Sequence, residues 1–197
     1  AKFAVAYNNR GEAYLGKRDL DRAIADFDSA IKANLNYDTA YYNRGMAHRD
    51  KRDFERSVAD FSAAIKINPK SAASYNNRGF AYWNQGSNDN AIADFEQAIK
   101  LDSKFAAAYA NRGTSYYDKR DYARAIVDFD QAIKLNPSSP AAYHDRGLAY
   151  RDKGDSTRAI ADFDQAIKLD PKFAAAFASR GLAQSNKQDY TRAIADL

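Results

Sequence analysis

The chain has 197 residues, of which 30 are basic and 26 acidic for a net charge of +4, and it contains no cysteine. Hydrophobic residues make up 45%, enough for a continuous core and too many for wholesale disorder. Disulfides, thiol catalysis and cysteine-ligated zinc are therefore excluded, no apolar run approaches the roughly 20 residues that span a bilayer, and the interspersed charges leave no basic stripe for nucleic acid.

An arginine–glycine pair then recurs every 34 residues: Arg10-Gly11, Arg44-Gly45, Arg78-Gly79, Arg112-Gly113, Arg146-Gly147 and Arg180-Gly181. A strict period of this length, kept without insertion, predicts a stacked array of small units, each touching only its neighbours. The first element of each unit reads as an amphipathic helix. An aromatic precedes the glycine by four residues (Tyr7, Tyr41, Tyr75, Tyr109, Tyr143, Phe177), and Tyr14, His48, Tyr82, Tyr116, Tyr150 and Gln184 follow it by three. Those offsets share one helical stripe with the glycine, where a neighbouring helix can come close.

The second element is also a helix. Its core stripe holds Ala23, Ser57, Ala91, Ala125, Ala159 and Ala193, then Phe27, Phe61, Phe95, Phe129, Phe163 and Leu197, with Ala30, Ala64, Ala98, Ala132 and Ala166 beyond. Asp19, Asp53, Ser87, Asp121, Asp155 and Asp189 precede it and suit N-caps, while Pro69, Pro137 and Pro171 stop it. Ser139-Pro140 suits a cap and first helical position of the next unit. Asp28/Lys32, Glu96/Lys100, Asp130/Lys134 and Asp164/Lys168 are spaced for surface ion pairs.

The order aromatic, Gly, aromatic, Ala, Phe, Ala and Pro at this spacing resembles the tetratricopeptide repeat (TPR) family. The resemblance covers residues 4 to 197 as repeats 4–37, 38–71, 72–105, 106–139 and 140–173, with a truncated sixth at 174–197. It departs at His48 and Gln184, at Leu35 and Ser103 in place of proline, and at the arginines before glycine. It implies an all-α fold, a right-handed superhelical solenoid of antiparallel helix pairs forming one array. Ala1–Tyr7 echoes 103–109 and 171–177, so the chain is expected to be a piece of a longer array.

A helical wheel places residues six, three and two before glycine, and one, four and five after it, between about +40° and +160° from the glycine, away from the core aromatics. By resemblance, this face lines a concave groove that holds a partner's extended peptide or helix. Two residues before glycine stand Asn9, Asn43, Asn77 and Asn111, then Asp145 and Ser179. Asparagine is a mediocre helix former, and its amide can hold a peptide main chain through donors and acceptor together. The column is similar to the asparagine ladder in the TPR portion of O-linked N-acetylglucosamine transferase; local bonding to the next helix is the alternative. The other columns supply Tyr42, Met46, Arg49, Phe80, Trp83, Asn84, Tyr117 and Asp118, and a more polar patch with His144 and Arg151. Aromatics grouped with an arginine are the composition of an interface hot spot. Lysines that would clamp the carboxylate of a chaperone tail are absent from these columns.

The arginine column projects away from the groove, at about −100°, and faces a second faithful column: Asp26, Asp60, Asp94, Asp128, Asp162 and Asp196. Arg–Asp pairing between helices is expected, with the arginine stems covering apolar surface. His48 falls in a core column, and His144 has no serine or cysteine nucleophile in a triad arrangement. Aspartates two apart on a helix diverge by about 160° and cannot share one ion. A non-enzymatic protein- or peptide-binding scaffold without cofactor or metal is expected. Neither nucleic-acid binding nor membrane insertion is expected, and a soluble, cytoplasmic setting is the default. The second reading is head-to-tail self-association through apolar repeat ends.

Overall fold

The computed structural model describes residues 2–196, with side chains from residue 3 onward. Leu197, assigned above to the phenylalanine column, and Ala1 lie outside the described residues. Those residues form twelve α-helices and no strand: α1 (Lys2–Gly16), α2 (Leu20–Ala33), α3 (Asp38–Asp50), α4 (Phe54–Ile67), α5 (Ala72–Asn84), α6 (Asn88–Leu101), α7 (Ala106–Asp118), α8 (Tyr122–Leu135), α9 (Pro140–Asp152), α10 (Ser156–Leu169), α11 (Ala174–Asn186) and α12 (Tyr190–Asp196). They divide into two compact units, residues 1–103 with α1–α6 and residues 104–197 with α7–α12, and each unit is built from three successive helix pairs.

The start of each second helix follows from side-chain caps. Asp19, Asp53, Asp121 and Asp155 each accept the backbone N–H three residues on, satisfying one donor that the helix cannot. Ser87 sits at the corresponding place without a side-chain cap bond, so α6 lacks this contribution. Ser139 caps α9, with Pro140 in its first turn. Within each pair the turn residue adopts a left-handed backbone, at φ 61° for Arg52 and 94° for Gly154.

Phe27, Phe61, Phe95, Phe129 and Phe163 are at most 1% exposed and form the centre of successive pairs. The glycine of the partner helix lets each ring in. A Cβ on Gly11 or Gly147 would stand 2.6 Å from Cε1 of Phe27 or Phe163. The recurring alanines Ala23, Ala91, Ala125 and Ala159 are fully buried beside these rings. Ser57, the exception in that column, donates to the Gly45 carbonyl at 2.9 Å and so buries its hydroxyl at little cost.

The expected arginine–aspartate pairs are present in every repeat. Arg10, Arg44, Arg78, Arg112, Arg146 and Arg180 each donate through Nε and Nη2 to both carboxylate oxygens of Asp26, Asp60, Asp94, Asp128, Asp162 and Asp196, at 2.5–2.9 Å. These bidentate bonds hold the guanidinium proton above its ordinary affinity in Arg44 and Arg146. Several arginines also use Nη1 to reach back to the preceding pair: Arg44 to Asp28, Arg78 to Ser62, Arg146 to Asp130 and Arg180 to Asp164. This corrects the surface-pair reading of Asp28/Lys32, Asp130/Lys134 and Asp164/Lys168. The aspartates bind the fixed guanidinium of the next repeat, whose fork is preorganised, instead of a flexible lysine on their own helix.

Candidate functional site

The columns singled out in the sequence lie on the first helices: Asn9 on α1, Tyr42, Asn43, Met46 and Arg49 on α3, and Asn77, Phe80, Trp83 and Asn84 on α5, all in the first unit. Asn111, Tyr117 and Asp118 lie on α7, and His144, Asp145 and Arg151 on α9, in the second unit. Asn9 and Asp118 are exposed, whereas Tyr42, Met46, Arg49, Phe80, Trp83, Asn84, Asn111 and Tyr117 are half-buried.

In the first unit the asparagine column turns inward. Asn43 and Asn77 are each only 9% exposed. Asn43 Nδ2 donates to Asn8 Oδ1 at 3.0 Å and to Glu12 Oε1 at 2.7 Å, and Asn8 donates to the same Glu12 oxygen. Asn77 Nδ2 donates to the Tyr42 hydroxyl at 3.1 Å and to the Ala73 carbonyl, while its Oδ1 accepts from Arg49 Nη1 at 2.8 Å. The amides that were expected to hold a peptide main chain therefore tie α1 to α3 and α3 to α5. The physical reason is spacing: a residue three before one glycine meets the residue two before the next glycine, 35 positions on. Of the Asn43 amide, the oxygen alone accepts no bond from a described residue. Asn84 likewise turns its amide nitrogen to the Phe80 carbonyl on its own helix. Glu12, which receives two asparagine amides, was not singled out by the sequence; its only signal was its place one residue after Gly11.

The aromatic group of this unit stays partly open. The Phe80 and Trp83 rings lie 5.6 Å apart at a 45° tilt, and the Arg49 guanidinium stands 6.0 Å from the Phe80 ring centre. Arg49 is oriented by Asn77 and by both of its bonds to Asp50 Oδ1. Tyr42 leans on the core ring of Phe61 at 5.6 Å, and burial pushes its phenol up from the ordinary value.

The second unit repeats the lateral bond with different chemistry. Tyr117 donates to Asp152 Oδ2 at 2.5 Å, and Arg151 Nε donates to Asp152 Oδ1 at 2.7 Å. Burial, followed by the carboxylate that accepts its proton, pushes the Tyr117 phenol up to about 12. Burial works to raise the Asp152 carboxyl, but the bonds from Arg151 and Tyr117 outweigh it and hold the group below its ordinary value. His144, read from the sequence as a groove residue, also packs against aromatic rings. Its ring lies 5.1 Å from Phe173 and 5.6 Å from Phe163, with Nε2 3.1 Å from Ser179 Oγ and Nδ1 3.2 Å from Asp145 Oδ1. The column two before glycine is again where the preceding repeat's bond lands.

These features decide the family. Tetratricopeptide repeat models match residues 8–72, 72–105, 106–139 and 129–161, and a TPR repeat model matches 147–188. The chain belongs to the tetratricopeptide repeat family. No curated protein matches it. Among solved structures it is similar to MamA, with 28% identity, 77% of this chain and 89% of that chain covered, and a TM-score of 0.71. It also shares its fold with PilW, a type IV pilus biogenesis factor, at 17% identity, with 100% and 91% covered and a TM-score of 0.91. YrrB, a TPR protein with an unusual peptide-binding site, matches at 21% identity, with 88% and 89% covered and a TM-score of 0.73. Together the repeats and these neighbours support a protein-interaction scaffold. No helix among the described residues is long and apolar enough to cross a membrane.

Proposed function

We propose that this TPR chain captures an extended segment or helix of a partner protein on the face made by its first helices, and that repeats 4–37 to 174–197 act as one array. The reading rests on one observation: Arg49, Phe80 and Trp83 form a half-exposed aromatic–guanidinium group whose orientation is fixed by Asn77 and Asp50. Such a preorganised group loses little side-chain entropy when a ligand covers it. The Asn43 carbonyl offers an acceptor to a peptide N–H, and the exposed Asn9 amide offers both functions. Asn77 is a positioning residue in this scheme, and Met46, Tyr117, Asp118 and Arg151 tune specificity. Neither catalysis nor a cofactor enters the scheme, in keeping with the scaffold role typical of the fold.

The test is selection from a random peptide display library followed by calorimetry on the selected peptides. Trp83→Ala and Phe80→Ala should each weaken binding at least tenfold, the loss expected of a central aromatic anchor at about 1.4 kcal/mol or more. Selected peptides whose affinity ignores both substitutions would remove the proposal.

A second reading, head-to-tail self-association, draws on exposed apolar side chains: Phe3 and Val5 on α1, and Leu182, Tyr190 and Ile194 on α11 and α12. Stacking of these faces would be heterologous and open-ended. Light scattering over a dilution series that gives a constant monomer mass would eliminate it.

A further inference from the structure

His48 and Gln184 stand where the other repeats carry Tyr14, Tyr82, Tyr116 and Tyr150. What the tyrosine does is clearest in the α9–α10 pair. There the Tyr150 ring lies between two guanidiniums, 5.9 Å from Arg146 and 4.4 Å from Arg158. Tyr116 and Tyr14 each stand under one such guanidinium, that of Arg124 at 4.4 Å and of Arg22 at 4.6 Å. In the α3–α4 pair the two arginines are kept as Arg44 and Arg56, but the smaller imidazole of His48 stands in place of the phenol.

A cleft of about 350 Å³ opens at that place, lined by Ile24, Asp28, Arg44, His48, Arg56 and Asp60. Four periods further on a cleft of about 310 Å³ is lined by the equivalent Ile160, Asp164, Arg180, Gln184, Arg192 and Asp196. The replacement residues are each 7% exposed, and each has a buried side-chain atom, Nδ1 of His48 and Oε1 of Gln184, with no hydrogen-bond partner among the described residues. Neither residue is therefore a finished substitute for the ring. Each cleft lies where two second helices meet the first helix between them, α2, α3 and α4 or α10, α11 and α12, and none of its lining residues belongs to the columns assigned above to peptide capture.

We propose that each cleft receives a tyrosine side chain of a partner protein, its ring lying beside His48 or Gln184 and packing against the arginines as the Tyr150 ring does within its own repeat. There is room: a cavity of about 150 Å³ suffices for benzene. The site is also prepared. Arg44 is fixed by Asp28 and Asp60, and Arg180 by Asp164 and Asp196, so guanidiniums stand ready to flank an aromatic face. Ile24 and Ala59, or Ile160 and Ala195, supply apolar wall.

The probe is p-cresol, the tyrosine side chain on its own, titrated into the whole chain while NMR follows the methyl signals of Ile24 and Ile160. Saturable shifts are expected at both in the wild type. His48→Tyr, which returns the chain to its own repeat pattern, should abolish the shift at Ile24 and spare Ile160; Gln184→Tyr should do the converse. N-acetyl-tyrosinamide should bind at the same two places within a few-fold of p-cresol. Tyr150→His should open a third site sensed by Ile126. Wild-type titrations that do not saturate, binding that survives His48→Tyr, or an N-acetyl-tyrosinamide excluded where p-cresol enters would each overturn the proposal. Should Tyr150→His not fold, the two tyrosine replacements decide alone.

Discussion

The α3–α4 pair and the α9–α10 pair differ less in their scaffold than in what fills it. Both use a bidentate Arg–Asp bond, Arg44 to Asp60 and Arg146 to Asp162, and both arginines reach back to the preceding pair. Both seat a phenylalanine against a glycine. Yet the first has His48, Ser57 and Arg52 where the second has Tyr150, Ala159 and Gly154. Register and pairing are therefore set by the charged columns and the Gly–Phe contact. The column three residues after the glycine varies separately, and a cleft lies beside it where it holds His48.

Breaking the frame should have the largest effect, and the same effect in both pairs. Asp60→Ala and Asp162→Ala each leave a half-buried guanidinium with one fewer carboxylate, which should cost about 3 kcal/mol in chemical denaturation, at the low end for a broken buried pair because Asp28 or Asp130 remains. A large difference between the two would mean that the tyrosine contributes to the frame. Next comes the Gly–Phe seat. A Cβ at Gly147 would meet the Phe163 ring at 2.6 Å, and one at Gly45 would meet Phe61 at 3.0 Å. Overpacking of about 1–3 kcal/mol, offset by about 1 kcal/mol of helix propensity, should make Gly147→Ala destabilising by about 1 kcal/mol and Gly45→Ala close to neutral. Equal midpoints for the two variants would show that the first pair is no looser than the second.

The turns give a smaller contrast of opposite sign. Arg52 holds φ 61° against a steric cost that glycine does not bear. Arg52→Gly should therefore stabilise by about 0.5 kcal/mol once the greater freedom of the unfolded chain is set against it. A loss of stability would mean that the Arg52 side chain makes a contact worth more than the strain. The smallest effect concerns pH. Burial lowers the His48 pKa below its unfolded value, opposed by the attraction of Asp60, so the unfolded chain takes up the proton first. The stability this group supports is present above about pH 6.5 and declines as the pH falls toward the folded-state value. The denaturation midpoint of wild type should drop between pH 7.5 and 5.5 relative to that of His48→Tyr, and parallel profiles would refute the assignment.

Much of the candidate face was legible. The period located the first helices, and the wheel separated Phe80, Trp83 and Tyr42 from the core aromatics. The asparagine column left two readings open, peptide contact and bonding to the next helix, because composition cannot show which neighbour an amide reaches. Asn43 and Asn77 are satisfied across the repeat boundary, by Glu12, Asn8, Tyr42 and Arg49, and only the lateral offset of one helix against the next brings those groups within bonding distance. The packing of His144 was illegible for the same reason, since its ring meets Phe163 of α10 and Phe173, the residue before α11.

By itself, the sequence determined what a 34-residue period can encode: helix pairs, most of their caps, the glycine that lets a neighbouring helix close in and the Arg–Asp columns, because each depends on contacts that recur from unit to unit. The tertiary structure alone decided which polar side chains are consumed between repeats and where a missing ring becomes a cleft. Those outcomes depend on residues about one period apart that meet only after the helices have stacked, and on space, which no single residue carries.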